Sequence, residues 1–216
     1  ANYKLAKLEL AYRNYDMALQ LLNRVLKVDK DNFSAYSLKG VVYKEKKEID
    51  KAIKSFRKSL SCNESYEEAY IQLGILYAEK NDRLAIEYFN GALNNNPENI
   101  DALYLLGVFY QKNYDMEDAE KIYKRIINID STNQYSYYNL GYINLVFHED
   151  FGKAASFFQK AIDIDPNYLE AYYNLGYSYE LSDEYQKAKL NYQKVLKMDK
   201  DYKKAIEGLN RLDNII

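Results

Sequence analysis

The chain has 216 residues, of which 48% are hydrophobic and 29% charged, and its net charge at pH 7 is −2. This balance argues against disorder and against a nucleic-acid partner, because neutralising phosphates requires clustered Lys and Arg. A single Cys excludes an intrachain disulfide, and no apolar run approaches the ~20 residues of a membrane span. With eight Gly and two Pro, a β-rich fold with many turns is disfavoured.

A small residue recurs along the chain every 33 to 35 residues. In chain order these residues are Ala6, Gly40, Gly74, Gly107, Gly141 and Gly176. An alanine follows each of them, at Ala18, Ala52, Ala85, Ala119, Ala154 and Ala188. Both prolines, Pro97 and Pro166, lie 12 residues after an alanine of this second set. Such self-similarity predicts an array of structural repeats.

Each period has the pattern of two helices. In the fourth, Leu103, Leu106 and Tyr110 follow helical spacing, residues 113–116 interrupt it, and the spacing resumes over residues 117–130. A turn this short predicts an antiparallel hairpin. We expect the small residue to let the two backbones approach, with a neighbouring aromatic ring filling the gap. A lone hairpin cannot cover its own apolar stripe, so stacked hairpins should form a solenoid.

The run Tyr172, Leu175, Gly176, Tyr179 and Ala188 resembles the tetratricopeptide repeat. The resemblance covers essentially the whole chain. It implies an all-α, right-handed superhelical solenoid of antiparallel helix hairpins, forming a single domain over residues 1–216. The implied repeats lie at about 1–32, 33–66, 67–99, 100–133, 134–168 and 169–202, followed by a terminal helix at 203–216. That helix should turn Ile206, Leu209 and Leu212 towards the preceding repeat.

Tyrosine is unusually abundant, with 25 copies. Twelve occupy positions where other repeats carry Phe, Leu, Ile or Met, so we predict that they pack in the core. These are Tyr15, Tyr36, Tyr43, Tyr70, Tyr77, Tyr110, Tyr123, Tyr137, Tyr172, Tyr179, Tyr185 and Tyr192.

Seven other tyrosines lie on the first helix of a pair, on the face turned away from the second helix. They are Tyr3, Tyr104, Tyr135, Tyr138, Tyr142, Tyr173 and Tyr177. The resemblance implies that this face lines a concave groove where peptides bind, and that Asn139 and Asn174 hold a peptide backbone. The predicted peptide-binding residues are Tyr104, Tyr135, Tyr138, Asn139, Tyr142, Tyr173, Asn174 and Tyr177. Mutual packing of the tyrosines, and bonding of each Asn to a neighbouring helix, remain open alternatives.

Charge narrows the kind of ligand expected. Some members of the family clamp a C-terminal carboxylate with basic residues, and those residues are missing from the corresponding positions here. Acidic residues on the groove side favour a neutral or mildly basic ligand. They are Glu68, Asp101, Glu170 and Glu180.

These features predict a protein–protein interaction scaffold that binds an extended peptide of a protein partner. A self-associating or spacer module, acting through the N-terminal repeat, is one alternative. The repeat portion of a longer enzyme, such as a glycosyltransferase, is another. We expect no catalysis, cofactor or metal site in these residues. His148, the only histidine, lies in a turn without a nearby nucleophile and is predicted to be solvated.

The chain begins at Ala1, with neither Met nor a helix-capping residue. We interpret this start as trimmed, with the natural protein continuing upstream. A cytoplasmic location is favoured, and an exported or lipid-anchored origin stays open.

Overall fold

The computed structural model of the protein describes residues 1–215, which contain thirteen α-helices and no strand. The helices are α1 (Asn2–Ala11), α2 (Tyr15–Val28), α3 (Phe33–Glu45), α4 (Ile49–Cys62), α5 (Glu67–Glu79), α6 (Leu84–Asn95), α7 (Ile100–Lys112), α8 (Met116–Ile129), α9 (Gln134–Val146), α10 (Phe151–Ile164), α11 (Leu169–Leu181), α12 (Tyr185–Met198) and α13 (Lys203–Asp213). The predicted all-α fold is confirmed. No helix within the described range combines the length and apolarity needed to cross a membrane.

The chain divides into two compact units, Ala1–Phe109 and Tyr110–Ile216. In the first unit, α1 packs on α2, α3 on α4, and α5 on α6. In the second, α9 packs on α10 and α11 on α12, with α13 against α12. Five of the six predicted hairpins are therefore confirmed, and the pairing of α7 with α8 stays a prediction. The single continuous domain of six repeats stays a prediction.

Glycine in the first helix makes room for an aromatic ring of the second. A methyl group placed on Gly40 would lie 2.7 Å from the ring of Phe56, and one on Gly141 would lie 2.8 Å from the ring of Phe158. Both phenylalanines are completely buried. Contacts this short leave no space for a side chain, so the prediction that an aromatic ring fills the gap beside the small residue is confirmed.

Every turn inside a hairpin contains a non-glycine residue in the left-handed region. These residues, with φ from 53° to 63°, are Arg13, Lys47, Asn81, Tyr114, Glu149 and Asp183. The conformation costs such a residue roughly 1–2 kcal/mol. It lets the next amide reach back to the end of the first helix, as when Glu48 N donates to the carbonyl of Tyr43 at 2.9 Å. This bond terminates the helix in the manner of a Schellman motif.

One buried position near the start of the first helix holds alanine in most repeats. The alanines are Ala35, Ala69, Ala102, Ala171 and Ala205, and all are completely buried. In α9, Ser136 takes this place, and its enclosed Oγ has no hydrogen-bond partner. Ser59 is equally buried, but its Oγ donates to the carbonyl of Phe33 at 2.8 Å. The hydroxyl of Ser136 has therefore lost its hydrogen bonds to water and gained none from the protein.

The last helix, α13, buries Ala205 and Leu212 against α12. A methyl group on Gly208 would lie 2.5 Å from the ring of Tyr192. Ile206 is 39% exposed, so the prediction that it faces inward was wrong. The buried stripe runs through Ala205, Gly208 and Leu212, and Ile206 lies one residue, about 100°, away from it.

Candidate peptide-binding face

The eight predicted peptide-binding residues lie on first helices of their pairs. Tyr104 is on α7, in the first unit. The other seven are in the second unit: Tyr135, Tyr138, Asn139 and Tyr142 on α9, and Tyr173, Asn174 and Tyr177 on α11. We call the surface formed by these seven residues the tyrosine face.

Tyr138 is held firmly in place. Its ring stacks on Tyr168, with centroids 5.0 Å apart, and lies 5.6 Å from the ring of Phe158. Its hydroxyl oxygen accepts a hydrogen bond from Nδ2 of Asn174 at 2.9 Å. Burial raises the pKa of Tyr138 to about 12, although the hydrogen bond from Asn174 acts in the opposite direction. Tyr138 thus joins α9 to α11 and has only part of its ring left for a ligand.

The two asparagines of the tyrosine face differ in their bonding. Both are only 9% exposed. Asn174 donates to Tyr138, whereas the side-chain amide of Asn139 bonds to no residue within the described part of the chain. The amide of Asn139 is not among the sealed, unpaired polar atoms, so solvent reaches it. It therefore keeps both donor and acceptor capacity for a ligand.

Tyr173 lies at the centre of an aromatic cluster. Its ring is parallel to that of Tyr177, with centroids 6.3 Å apart. The rings of Tyr192 and Tyr202 are 5.8 Å and 5.6 Å away, and Nζ of Lys204 lies 5.8 Å from the centroid of Tyr173. Burial raises the pKa of Tyr173. Mutual packing of the tyrosines, the alternative left open by the sequence, is therefore substantial here.

The most exposed aromatic side chain of the tyrosine face is that of Tyr135, at 50%. Tyr142 and Tyr177 are half-buried. The framework tyrosines, by contrast, are all buried or half-buried, and Tyr123 and Tyr192 are completely buried. The face therefore combines a fixed aromatic floor with a few accessible edges.

The acidic residues near the face have different roles. Both carboxylate oxygens of Glu180 are engaged: Arg211 donates from Nε at 2.6 Å and from Nη2 at 2.9 Å, and the Tyr192 hydroxyl donates at 2.5 Å. Burial opposes ionisation of Glu180, but these hydrogen bonds outweigh it and lower its pKa. Glu180 was thus wrongly counted among the ligand-facing acids. Glu170 is exposed, forms no ion pair with a described residue, and helps to raise the pKa of Tyr138.

Sequence reasoning missed Tyr168 and Tyr202, which precede α11 and α13 at the N-cap position. Tyr168 packs against Tyr138, and Tyr202 packs against Tyr173. Tyr66 precedes α5 in the same way and contacts Phe33 at 4.8 Å between centroids. All three share one phase of the repeat, and that regularity could have identified them.

His148 is more engaged than predicted. Its Nε2 lies 3.0 Å from a carboxylate oxygen of Glu120 on α8. The neighbouring Val146 and Phe147 are 46% and 47% exposed. The end of α9 and the turn after it therefore expose apolar side chains, and His148 in this turn contacts Glu120 of α8.

Known proteins share both the repeat and the fold. Four family models described as tetratricopeptide repeat match residues 3–69, 76–139, 135–168 and 157–189. The chain is 27% identical over 139 residues to anaphase-promoting complex subunit 3 of Schizosaccharomyces pombe, covering 63% of this chain and 21% of that protein. It is 27% identical over 121 residues to protein O-mannosyl-transferase Tmtc3 of Drosophila melanogaster, covering 55% of this chain and 13% of that protein. The chain therefore spans a small part of either relative.

Two solved structures show the same fold. YrrB, described as a TPR protein with an unusual peptide-binding site, has a TM-score of 0.73 at 22% identity, over 88% of this chain and 97% of YrrB. PilW, a type IV pilus biogenesis factor, has a TM-score of 0.74 at 20% identity, over 96% of both chains. The helix pairs, their glycine contacts and the four family matches agree: this chain belongs to the tetratricopeptide repeat family.

Proposed function

We propose that the chain is a protein–protein interaction scaffold whose tyrosine face binds an extended segment of a partner protein. Membership of the repeat family supports the scaffold role, and a structural neighbour, YrrB, is described as having a peptide-binding site. The finer assignment to the tyrosine face rests on the chemistry of its residues.

One observation carries this assignment. Asn139 is 9% exposed, yet its amide has no partner among the described residues. Solvent reaches this amide, so a ligand can bond to it without breaking a hydrogen bond inside the described part of the protein. A peptide unit offers one N–H and one C=O, which match the acceptor and donor of an Asn side chain. Asn139 is thus suited to hold a backbone without reading its sequence.

The surrounding tyrosines supply contact area. Tyr135 and Tyr142 lie on the same helix as Asn139, four residues before it and three residues after it, so all three occupy neighbouring positions on α9. Tyrosine offers a large rigid surface at small entropic cost, and a hydroxyl that orients the ligand. Because Tyr138 is already fixed by Asn174, part of this surface is organised before a ligand arrives.

Charge favours a segment that carries Lys or Arg. Glu170 lies in the first turn of α11, is exposed, and has no ion-pair partner in the described residues. A basic side chain of the ligand would meet this carboxylate and could also lie over a tyrosine ring.

A selection of linear peptides tests the proposal. Peptides from a random displayed library are selected on the wild-type protein, and their affinities are measured for wild type and for Tyr135→Ala/Asn139→Ala. We expect affinity to fall at least about tenfold in this variant. A matched control, Tyr12→Ala/Asn210→Ala, alters one exposed Tyr and one exposed Asn elsewhere and should bind like wild type.

Amide chemical shifts measured by NMR would locate the bound peptide independently. Binding at the tyrosine face should perturb resonances of α9 and α11. Equal affinity of the face variant and wild type, with both folded, would refute the assignment and move the site elsewhere on the scaffold.

A second candidate function is self-association through α1. Leu5 and Leu8 are 43% and 49% exposed, whereas Leu73 and Leu76, at the equivalent positions of α5, are buried. An apolar stripe that is covered elsewhere in the chain is open on α1. Sedimentation velocity would test this: mass should rise with concentration in wild type and stay monomeric in Leu5→Lys/Leu8→Lys. A monomer at every concentration in wild type would exclude it.

A further inference from the structure

A second feature belongs to the first unit, whereas the tyrosine face belongs to the second. The α3–α4 hairpin encloses a surface cavity of about 360 Å³. Four lysines line it, and we call them the lysine pocket: Lys39 on α3, and Lys51, Lys54 and Lys58 on α4. Rings of Tyr36 and Tyr43 form part of the wall. Its volume is within the range of small-ligand sites, about 300–1,000 Å³.

Lys39 occupies a position where the other helix pairs have leucine. The leucines are Leu5, Leu73, Leu106, Leu140 and Leu175. Nζ of Lys39 donates to Oδ1 of Asn23 at 2.9 Å and lies 6.0 Å from the ring centroid of Tyr43. Burial lowers the pKa of Lys39, because the charged form is poorly solvated there. Packing alone favours leucine at this position, so the lysine requires another explanation.

The other three lysines lie at i, i+3 and i+7 on α4, and therefore share one face of the helix. Like charges at such spacing repel one another and destabilise a helix. Lys51 is paired with Glu48, at 2.5 Å. Lys39, Lys54 and Lys58 have no carboxylate partner among the described residues. The pocket thus concentrates positive charge that the protein itself does not neutralise.

The last hairpin, α11–α12, provides a comparison inside the same chain. Lys187 and Lys194 match two of the pocket lysines in position, and each lies over a tyrosine ring in the same way. Leucines, Leu175 and Leu190, replace the other two. Lysine–tyrosine contacts are therefore a general feature of these hairpins. The α3–α4 hairpin differs in having two further lysines, Lys39 and Lys54, where α11–α12 has these leucines.

We propose that the lysine pocket binds a phosphate group, carried by a phosphorylated side chain of a protein or present as free phosphate. A phosphate monoester has a charge near −2 and three acceptor oxygens, which suit several ammonium groups that act as point charges. A carboxylate is matched better by the planar fork of arginine. The nearby arginine of α4, Arg57, instead donates to the hydroxyls of Tyr77 and Tyr88.

The test is to remove the two distinguishing lysines. Lys39→Leu/Lys54→Leu gives α3–α4 the two leucines that α11–α12 has at these positions, so the variant should still fold. Its unfolding temperature should be higher than that of wild type. Inorganic phosphate is titrated into each protein, and ³¹P line broadening and calorimetry report binding. We expect wild type to bind at about 1 mM phosphate or below, and the variant at least about tenfold more weakly. The control Lys187→Met/Lys194→Met should keep wild-type affinity.

Two peptide arms distinguish the sources of phosphate. A phosphoserine peptide that binds more tightly than inorganic phosphate, while its unphosphorylated form does not bind, assigns the pocket to modified proteins. Equal affinity of the phosphopeptide and inorganic phosphate assigns it to the free ion. The proposal is overturned if neither ligand binds wild type at about 1 mM, or if the double leucine variant binds as well as wild type.

Discussion

Ser136→Ala should make the protein more stable. Ser136 is completely buried, and its Oγ has no hydrogen-bond partner. A buried, unpaired hydroxyl costs about 1–3 kcal/mol in lost hydration. Alanine fills the equivalent position in the other pairs, so the smaller side chain is known to fit. Alanine also favours the helix by about 0.5 kcal/mol. Together these contributions should raise the free energy of unfolding by about 1.5–3.5 kcal/mol.

Ser59→Ala is the matched control. Ser59 is equally buried, but its Oγ donates to the carbonyl of Phe33 at 2.8 Å. Its removal forfeits a hydrogen bond worth about 0.5–1.5 kcal/mol. The gain in helix propensity is common to both substitutions and cancels in their difference. The two variants should therefore differ by about 2 kcal/mol, with Ser136→Ala the more stable.

Urea unfolding followed by circular dichroism at 222 nm measures this difference. Thermal unfolding should separate the two midpoints by about 4–8 °C for a chain of this size. The reasoning is refuted if Ser136→Ala is no more stable than Ser59→Ala. That result would mean that the hydroxyl of Ser136 has a partner in solution.

Three further predictions concern the free energy of unfolding. Arg13→Gly removes the strain of a left-handed backbone at a non-glycine residue and should raise the free energy of unfolding by about 0.5–1 kcal/mol. The control Arg24→Gly, inside α2, should lower it by about 1 kcal/mol. Equal urea midpoints of the two variants would contradict this prediction. Gly141→Ala places a methyl group 2.8 Å from the Phe158 ring and should lower the melting temperature by the equivalent of about 1–3 kcal/mol, so a rise would disprove the steric argument. Glu180 has a lowered pKa, so its stabilisation is complete above its ordinary pKa of 4.5 and is lost as the pH falls. The stability difference between wild type and Glu180→Gln should therefore shrink from about pH 7 to about pH 3, and a constant difference would argue against the ion pair.

The sequence predicts the hairpin packing well because that packing is local. Gly40 and Phe56 belong to adjacent helices of one hairpin, and three other hairpins have a glycine and an aromatic ring at nearly the same spacing. Where the two helices cross, only a small residue on the first helix fits beside a large ring on the second, and this difference in size is visible in the sequence. Helical phase alone, in contrast, did not predict that the rings of Tyr138 and Tyr173 also approach Phe158 and Tyr192 of their second helices, at 5.6 Å and 5.8 Å between centroids.

Contacts between hairpins were not predictable in the same way. Arg211 reaches Glu180 from a helix about 30 residues later, and no spacing rule announces that partner. The left-handed turns also escaped notice, because residues such as Lys47 and Tyr114 carry none of the usual glycine signal. Tyr168 escaped because its role depends on the ring of the preceding pair.

The seating of an aromatic ring on a glycine has a kinetic consequence. Each such pair is close in sequence, as with Gly176 and Tyr192, about 16 residues apart. Closing so short a loop loses little chain entropy, so a hairpin can acquire its central contact before distant segments meet. Folding can then start in any hairpin and spread to its neighbours. A substitution such as Gly141→Ala should accordingly slow folding only where that hairpin is the one that nucleates, and elsewhere should mainly speed unfolding.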